Sequence, residues 1–213
     1  LQWYRRAARG GWPAAIYNVA GVYFNGEGVP KNEQLAVRWM RRAAEAGVLE
    51  AQNNLGVMLR EGIGTRRDPE EAVTWFRRAA RFGNADGPLN LGAAYDHGRA
   101  GFPLDPVRAV AWYRRAAEAG LAEAQFNLAH CLATGNGTPR DDAEALAWML
   151  KAAEQDLASA QYLVGVMLLE GIGGAADRGR AVRWLERAAL NGNSDAASLL
   201  QRLRDIEPVD QDR

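Results

Sequence analysis

The chain has 213 residues, in which 26 Lys and Arg are balanced by 26 Asp and Glu. This balance argues against bulk electrostatic attraction to nucleic acid or anionic lipid, and the longest apolar run, residues 162–169, is too short to cross a membrane. The single Cys excludes an internal disulfide framework, and it leaves both cytosolic and oxidising compartments open.

Tryptophan recurs along the chain with a nearly constant period. Six of the seven tryptophans are separated by 36, 36, 37, 36 and 36 residues: Trp3, Trp39, Trp75, Trp112, Trp148 and Trp184. A fixed period in this range is typical of solenoid proteins, in which each repeat buries its apolar surface against its neighbours. We therefore interpret the chain as a stack of two-helix repeats and name the two helices of each repeat helix A and helix B.

The predicted elements run in order from one end of the chain to the other. Residues 1–10 predict a helix B without its helix A or its cap. Five full repeats are predicted at 11–47, 48–83, 84–120, 121–156 and 157–192. Residues 193–205 predict a terminal capping helix A, because Gln201 replaces the small residue of earlier copies, and 206–213 predict a polar tail. We expect a single solenoid domain over residues 1–205.

Residues 48–83 illustrate one repeat. Apolar residues at helical spacing predict helix A, and Gly62 and Gly64 end it. Asp68 is expected to cap helix B, with Pro69 in the first turn, and Gly83 closes that helix. The same cap is predicted in every repeat: Asn32, Asp68, Asp105, Asp141 and Asp177. Asp156 takes the place of one closing glycine, and the loop within residues 98–105 carries one extra residue.

Small residues recur where the two helices of a repeat should meet. Helix A carries a Leu or Val followed by Gly or Ala, as in Leu55-Gly56 and Val164-Gly165, and helix B carries an invariant alanine three residues before each full repeat's tryptophan. Small residues at offsets of three and four lie on one helical face. We therefore expect helix B to approach helix A closely at these positions.

The repeat pattern A-x-x-x-L-G-x-x-Y/L-x-x-G-x-G, followed by D-x-x-x-A-x-x-W-x-x-K/R-A-A-x-x-G, resembles Sel-one-like repeats (SLR), relatives of the tetratricopeptide repeat. The resemblance covers residues 1 to about 202. It implies an all-α, right-handed solenoid of helix-turn-helix repeats in which the helices A line a concave groove. It also implies protein binding, as in SLR proteins of signalling, envelope assembly, and host or effector binding.

The predicted groove face carries an asparagine in four successive repeats. These amides could grip the backbone of a bound peptide, or they could hydrogen-bond the neighbouring helix and set the spacing of the repeats. Aromatic residues one position earlier suit interaction hot spots but also ordinary packing between repeats. The candidate partner-binding residues are Tyr17, Asn18, Asn53, Asn54, Asn90, Phe126, Asn127, His130 and Tyr162.

Other motifs that could carry chemistry are weak. His97, His130 and Asp96 lack the spacing of a metal site, and Cys131 falls in a row predicted to be buried. The repeated G-x-G lies between two helices, unlike a nucleotide-binding loop, which follows a strand. No nucleophile–base–acid set is recognisable. We therefore expect no cofactor and no catalytic residues.

A row of Arg and Lys follows the tryptophans at a distance of three residues. We expect a solvated face in which these cations pair with Glu45, Glu118 and Glu154 three residues on, and an acidic or nucleic-acid partner is the less favoured alternative. The sequence thus predicts a non-catalytic scaffold that binds a peptide or partner protein, without nucleic-acid binding or membrane insertion. A dedicated inhibitor or immunity protein is the alternative, an enzyme is less favoured, and the oligomeric state stays open.

Overall fold

The structure is a computed structural model that describes residues 2–98 and 103–205. Over these residues the chain forms twelve helices and no strands. The helices are α1 (Gln2–Arg9), α2 (Pro13–Asn25), α3 (Glu33–Glu45), α4 (Leu49–Glu61), α5 (Pro69–Arg81), α6 (Asp86–His97), α7 (Pro106–Glu118), α8 (Ala122–Thr134), α9 (Asp142–Glu154), α10 (Ala158–Glu170), α11 (Arg178–Leu190) and α12 (Ser194–Asp205). Even-numbered helices are helices A, and odd-numbered helices are helices B.

The chain divides into two compact units, residues 1–112 and 113–213. In the first unit each helix from α1 to α6 packs against the next, and in the second unit the same holds from α8 to α12. The predicted all-α solenoid class is thereby confirmed. The predicted polar tail and residues 99–102 of the lengthened loop lie outside the described residues. Among the described helices, none is both long and apolar enough to cross a membrane.

The predicted caps form at the start of the helices B. Their side-chain oxygens accept from the backbone N–H three residues on, at 2.8–3.0 Å in all five cases. The N–H of each cap residue also reaches back to helix A, for example from Asp68 to the Leu59 carbonyl at 2.9 Å. The cap therefore starts helix B and fixes it to helix A, and Asp105 keeps the same contact, to Tyr95 at 2.9 Å, after the lengthened loop.

Helix A and helix B meet at the predicted small residues. A Cβ atom added to Gly56 would lie 2.5 Å from the Phe76 ring, and one added to Gly165 would lie 2.6 Å from Leu185. The alanines three residues before the tryptophans of the full repeats are at most 1% exposed: Ala36, Ala72, Ala109, Ala145 and Ala181. The predicted close approach is therefore confirmed, because no room remains for a larger side chain.

Two further predictions about single residues are confirmed. Asp156 adopts a left-handed backbone conformation with φ of 63°, as expected for a residue in the place of a closing glycine. Its carboxylate accepts from Nε and Nη2 of Arg187 at 3.0 and 2.8 Å, and these hydrogen bonds lower the pKa of Asp156. Cys131 is 2% exposed within the core of the second unit.

Candidate partner-binding surface

Two of the predicted asparagines connect successive helices A in the first unit. Nδ2 of Asn54 donates to the Tyr17 hydroxyl at 3.0 Å, and Nδ2 of Asn90 donates to Oδ1 of Asn53 at 2.9 Å. Both bonds join α-helices that lie one repeat apart, at sequence separations of 37 residues. Tyr17, Asn54 and Asn90 are half-buried, whereas Asn53 is buried. These amides therefore set the spacing of the repeats, one of the two roles that the sequence left open.

The spacing role leaves only part of this row for a partner. Asn90 is fully engaged, because its Oδ1 accepts from Nη1 of Arg60 at 2.8 Å and its Nδ2 also reaches the Asp86 carbonyl at 3.1 Å. Asn18 is exposed on α2. An amide ladder along this unit would therefore depend on Asn18 and on the Asn54 carbonyl more than on Asn90.

The remaining candidates lie in the second unit, on α8 and α10. Phe126 and Asn127 are half-buried, and His130 is exposed. Asn127 has no hydrogen bond to another described residue, so both its donor and its acceptor are accessible to a partner. Tyr162 instead packs against the cluster formed by Leu185 and its buried neighbours, which favours a packing role for this aromatic ring.

A cavity of about 340 Å³ opens between α4, α5 and α6. Its lining combines Arg60, Arg67, Pro69, Val73, Phe76, Asn90, Ala93, Ala94 and His97 with two further residues. Ala93 and Ala94 explain its presence, because helices A of the second and fifth repeats carry a Val-Met pair at these two positions: Val57-Met58 and Val166-Met167. The third repeat thus keeps space that its sister repeats fill with side chains.

Cations and an aromatic ring surround this cavity. The Arg60 guanidinium lies 5.8 Å from the centre of the Phe76 ring, and its Nε donates to Glu61 at 2.7 Å. Nε of Arg67 donates to the Arg60 carbonyl at 2.8 Å, which fixes the loop that borders the cavity. An apolar floor beneath a cationic rim suits an aliphatic or aromatic side chain with an acidic neighbour.

Three buried glutamines form a second row that the sequence analysis overlooked. Nε2 of Gln52, Gln125 and Gln161 donates to the carbonyl eight residues earlier at 3.1–3.2 Å, in the last turn of the preceding helix B. Each glutamine is at most 5% exposed. The signal was present in the sequence, because glutamine recurs directly before the aromatic or asparagine positions of three helices A.

The oxygen atoms of these glutamines differ in their surroundings. Oε1 of Gln125 accepts from Nε2 of Gln155 at 2.8 Å, and Oε1 of Gln161 accepts from Nδ2 of Asn191 at 3.0 Å. Both donors come 30 residues after their acceptor. Thirty residues after Gln52 stands Phe82, which is 58% exposed, and the buried Oε1 of Gln52 has no partner among the described residues.

The basic row lies over the tryptophans. The charged groups of Arg42, Arg78, Lys151 and Arg187 are 3.9–5.4 Å from the centre of the indole ring three residues earlier. The expected pairing with Glu45, Glu118 and Glu154 is absent from the ion pairs of the described residues, because cation–π contact with a neighbouring indole takes its place.

A second arginine row joins successive helices B through a glutamate. Arg41 binds both carboxylate oxygens of Glu71, with Nη2 to Oε2 at 3.0 Å, and Trp75 Nε1 donates to the same carboxylate at 3.0 Å. Arg114, Glu144 and Trp148 repeat the arrangement, at 2.6 and 3.1 Å: Arg114 Nη1–Glu144 Oε1 and Trp148 Nε1–Glu144 Oε1. The hydrogen bond from arginine lowers the pKa of each glutamate.

Where this glutamate is missing, the arginine binds a tyrosine of helix A. Arg77 donates to the Tyr95 hydroxyl at 3.0 Å, and Arg5 donates to the Tyr23 hydroxyl. The repeats with Glu71 and Glu144 carry leucine at the tyrosine position, namely Leu59 and Leu132. Either partner satisfies the guanidinium, so these arginines contribute to the scaffold. No cluster of three or more metal-ligating side chains occurs in the part of the chain that is described.

Comparison with known proteins places this architecture. The Sel1 repeat model matches residues 1–12, 13–48, 49–84, 89–121, 122–157 and 158–193. The chain is similar to c5321, a protective antigen of uropathogenic Escherichia coli strains with an SLR fold (TM-score 0.92, 36% identity), over 99% of this chain and 45% of that chain. It is also similar to a Sel1 repeat protein from Oxalobacter formigenes (TM-score 0.85, 32% identity), over 94% and 83% of the two chains.

A more distant likeness concerns the fold alone. The immunity protein Pa5087 from Pseudomonas aeruginosa aligns with a TM-score of 0.56 and 20% identity, over 91% of this chain and 72% of that chain. No curated protein sequence matches the chain significantly. With the family model covering nearly all of residues 1–193 and two structural relatives above 30% identity, the chain belongs to the Sel1 repeat family.

Proposed function

We propose that the chain is a non-catalytic scaffold that binds a peptide or a segment of a partner protein on the exposed faces of its helices A. Proteins of the Sel1 repeat family typically mediate protein–protein interactions and generally act as non-catalytic scaffolds. The observation that carries the proposal is the cavity between α4, α5 and α6. It is open because Ala93 and Ala94 replace larger residues, although filling it would have added apolar contact within the fold.

The chemistry of the cavity describes its occupant. Val73 and Phe76 offer apolar contact, while Arg60, Arg67 and His97 lie at the rim. A volume of about 340 Å³ falls in the range of small-ligand pockets and accommodates one large side chain. The proposed ligand is therefore a peptide segment with an apolar anchor next to an acidic residue.

A filling substitution tests this proposal. Ala94→Met introduces the residue that Met58 and Met167 provide in the sister repeats, so we expect the fold to persist. Peptides selected from a displayed library against the unchanged chain should bind the variant at least tenfold more weakly, since an anchor is worth about 2 kcal/mol or more. Ala111→Met, at an exposed position on α7, is the matched control. Equal binding by all three proteins would refute the cavity as the anchor site.

The asparagines need a separate test because two roles are open to them. Asn54→Ala and Asn90→Ala should each lower stability by about 0.5–1.5 kcal/mol, through loss of one hydrogen bond between repeats. Asn127→Ala should leave the melting temperature unchanged and weaken binding of the selected peptides if its free amide grips their backbone. Weakened binding by Asn54→Ala without a lower melting temperature would contradict the spacing role. A partner enzyme inhibited on binding would identify the alternative, an inhibitor of the immunity type.

A further inference from the structure

The helix B of the fifth repeat departs from the arrangement that stabilises earlier repeats. In α5 and α9 a glutamate, Glu71 or Glu144, accepts a hydrogen bond from the indole N–H four residues later and binds an arginine of the preceding helix B. In α11 the equivalent position is Arg180, which lies four residues before Trp184. The arginine of the preceding helix B is replaced as well, because Leu150 stands 36 residues after Arg114.

This exchange gathers positive charge on one face of α11. Arg180, Arg183, Trp184 and Arg187 are spaced by three, one and three residues, and together they line a cavity of about 300 Å³. The Arg187 guanidinium lies 5.3 Å from the centre of the Trp184 ring and is also bound to Asp156. The side chains of Arg180 and Arg183 form no ion pair with another described residue, and neither does Trp184 Nε1 have an acceptor there.

We infer that this face binds a carboxylate of a partner protein, supplied by an acidic side chain. The molecule itself shows the geometry twice, since Glu71 and Glu144 each bind one indole N–H and one guanidinium. An external carboxylate that lies against Arg180 and Arg183 would give Trp184 the acceptor that Trp75 and Trp148 find within the chain. The inference concerns helix B and is independent of the cavity between α4, α5 and α6.

The first helix B of the full repeats supplies an internal control. On α3 the corresponding face carries Leu35, Arg38, Trp39 and Arg42. Trp39 also has no hydrogen-bond acceptor among the described residues and has Arg42 over its ring. The two faces therefore differ at one position, Leu35 against Arg180. A ligand that only stacks on indole or follows general basic charge should perturb both tryptophans, whereas a carboxylate bound by Arg180 should perturb Trp184.

The experiment follows the indole N–H signals of the ¹⁵N-labelled full chain by NMR. The probes are the acetylated tetraglutamate amide, the matching tetraglutamine amide and inorganic phosphate, all at the same ionic strength. We expect tetraglutamate to move the Trp184 signal downfield in a saturable manner, with smaller changes at Trp39, Trp75 and Trp148. Trp184→Phe assigns the signal. Arg180→Ala should weaken the response about two- to fivefold, as for an exposed ion pair.

Arg180→Glu gives the sharpest result. It restores the glutamate of the other repeats, so the Trp184 signal should lie downfield without any probe, and tetraglutamate should no longer move it. Equal movement of Trp39 and Trp184, an equal response to tetraglutamine, or an unchanged response in Arg180→Glu would overturn the inference. A Trp184 response to phosphate at lower concentration than to tetraglutamate would also overturn it, in favour of a phosphate ligand.

Discussion

Phe82→Gln should stabilise the protein, although it removes an aromatic residue. In the second unit, Gln155 and Asn191 each donate to the carbonyl oxygen of a buried glutamine 30 residues earlier, at 2.8 and 3.0 Å. Phe82 stands at the same position relative to Gln52, whose Oε1 is buried without a partner among the described residues. A glutamine at position 82 would bring an amide donor to this oxygen.

The magnitude follows from what is gained and lost. An unsatisfied buried acceptor costs about 1–3 kcal/mol. Phe82 is 58% exposed, and the Arg81 guanidinium lies 5.8 Å from the centre of its ring, a contact worth about 0.5–1 kcal/mol at an exposed site. The net gain is about 1 kcal/mol, which corresponds to a rise in melting temperature of about 2–4 °C for a chain of this size.

Thermal melting followed by circular dichroism measures this change. Ala46→Gln is the matched control: it also ends a helix B, but the residue 30 positions earlier is Ile16, which offers no acceptor. Its effect should stay within about 0.5 kcal/mol. A double-mutant cycle with Gln52→Met should abolish the gain from Phe82→Gln. The reasoning fails if Phe82→Gln is no more stable than the unchanged chain, or if its gain persists without Gln52.

Two further substitutions test the packing and the ion pairs. Gly56→Ala should destabilise the protein by about 1–3 kcal/mol, because the new Cβ would lie 2.5 Å from the buried Phe76 ring; Gly21→Ala, with nothing within 4 Å of its Cβ, should stabilise it by about 0.5–1 kcal/mol, and equal effects in thermal melts would contradict the close approach. The hydrogen bond from Arg41 lowers the pKa of Glu71 below the usual 4.3 or so, so their pairing stabilises the fold fully above that value and is lost as the pH falls through the lowered pKa. Melting temperatures between pH 7 and 3 should therefore fall less steeply for Glu71→Gln, and identical pH profiles would show that the pairing adds no stability.

Much of the fold could be read from residue types and spacing because the determining interactions are local. A cap such as Asp68 binds the N–H of a residue three positions later, and glycine or aspartate ends helices through backbone conformation, as at Asp156. The close approach at Gly56 was predictable because a small residue leaves only one way to bury the opposing aromatic ring. These interactions recur with the period of the repeat, so the sequence displays them several times.

The candidate site depended on contacts between repeats, about 30 or 37 residues apart, which no single repeat reveals. Only the tertiary structure decided that Asn54 and Asn90 spend their donors on the neighbouring helix, and that the basic row lies over indole rings. It also identified the places where one repeat lacks what its sisters provide: the space beside Ala94, the oxygen of Gln52, and the indole N–H of Trp184. The sequence by itself determined the repeat and its helices, because short-range capping and packing build them. Which polar groups stay accessible to a partner depends on the side chains that adjacent repeats place against one another, and that required the folded chain.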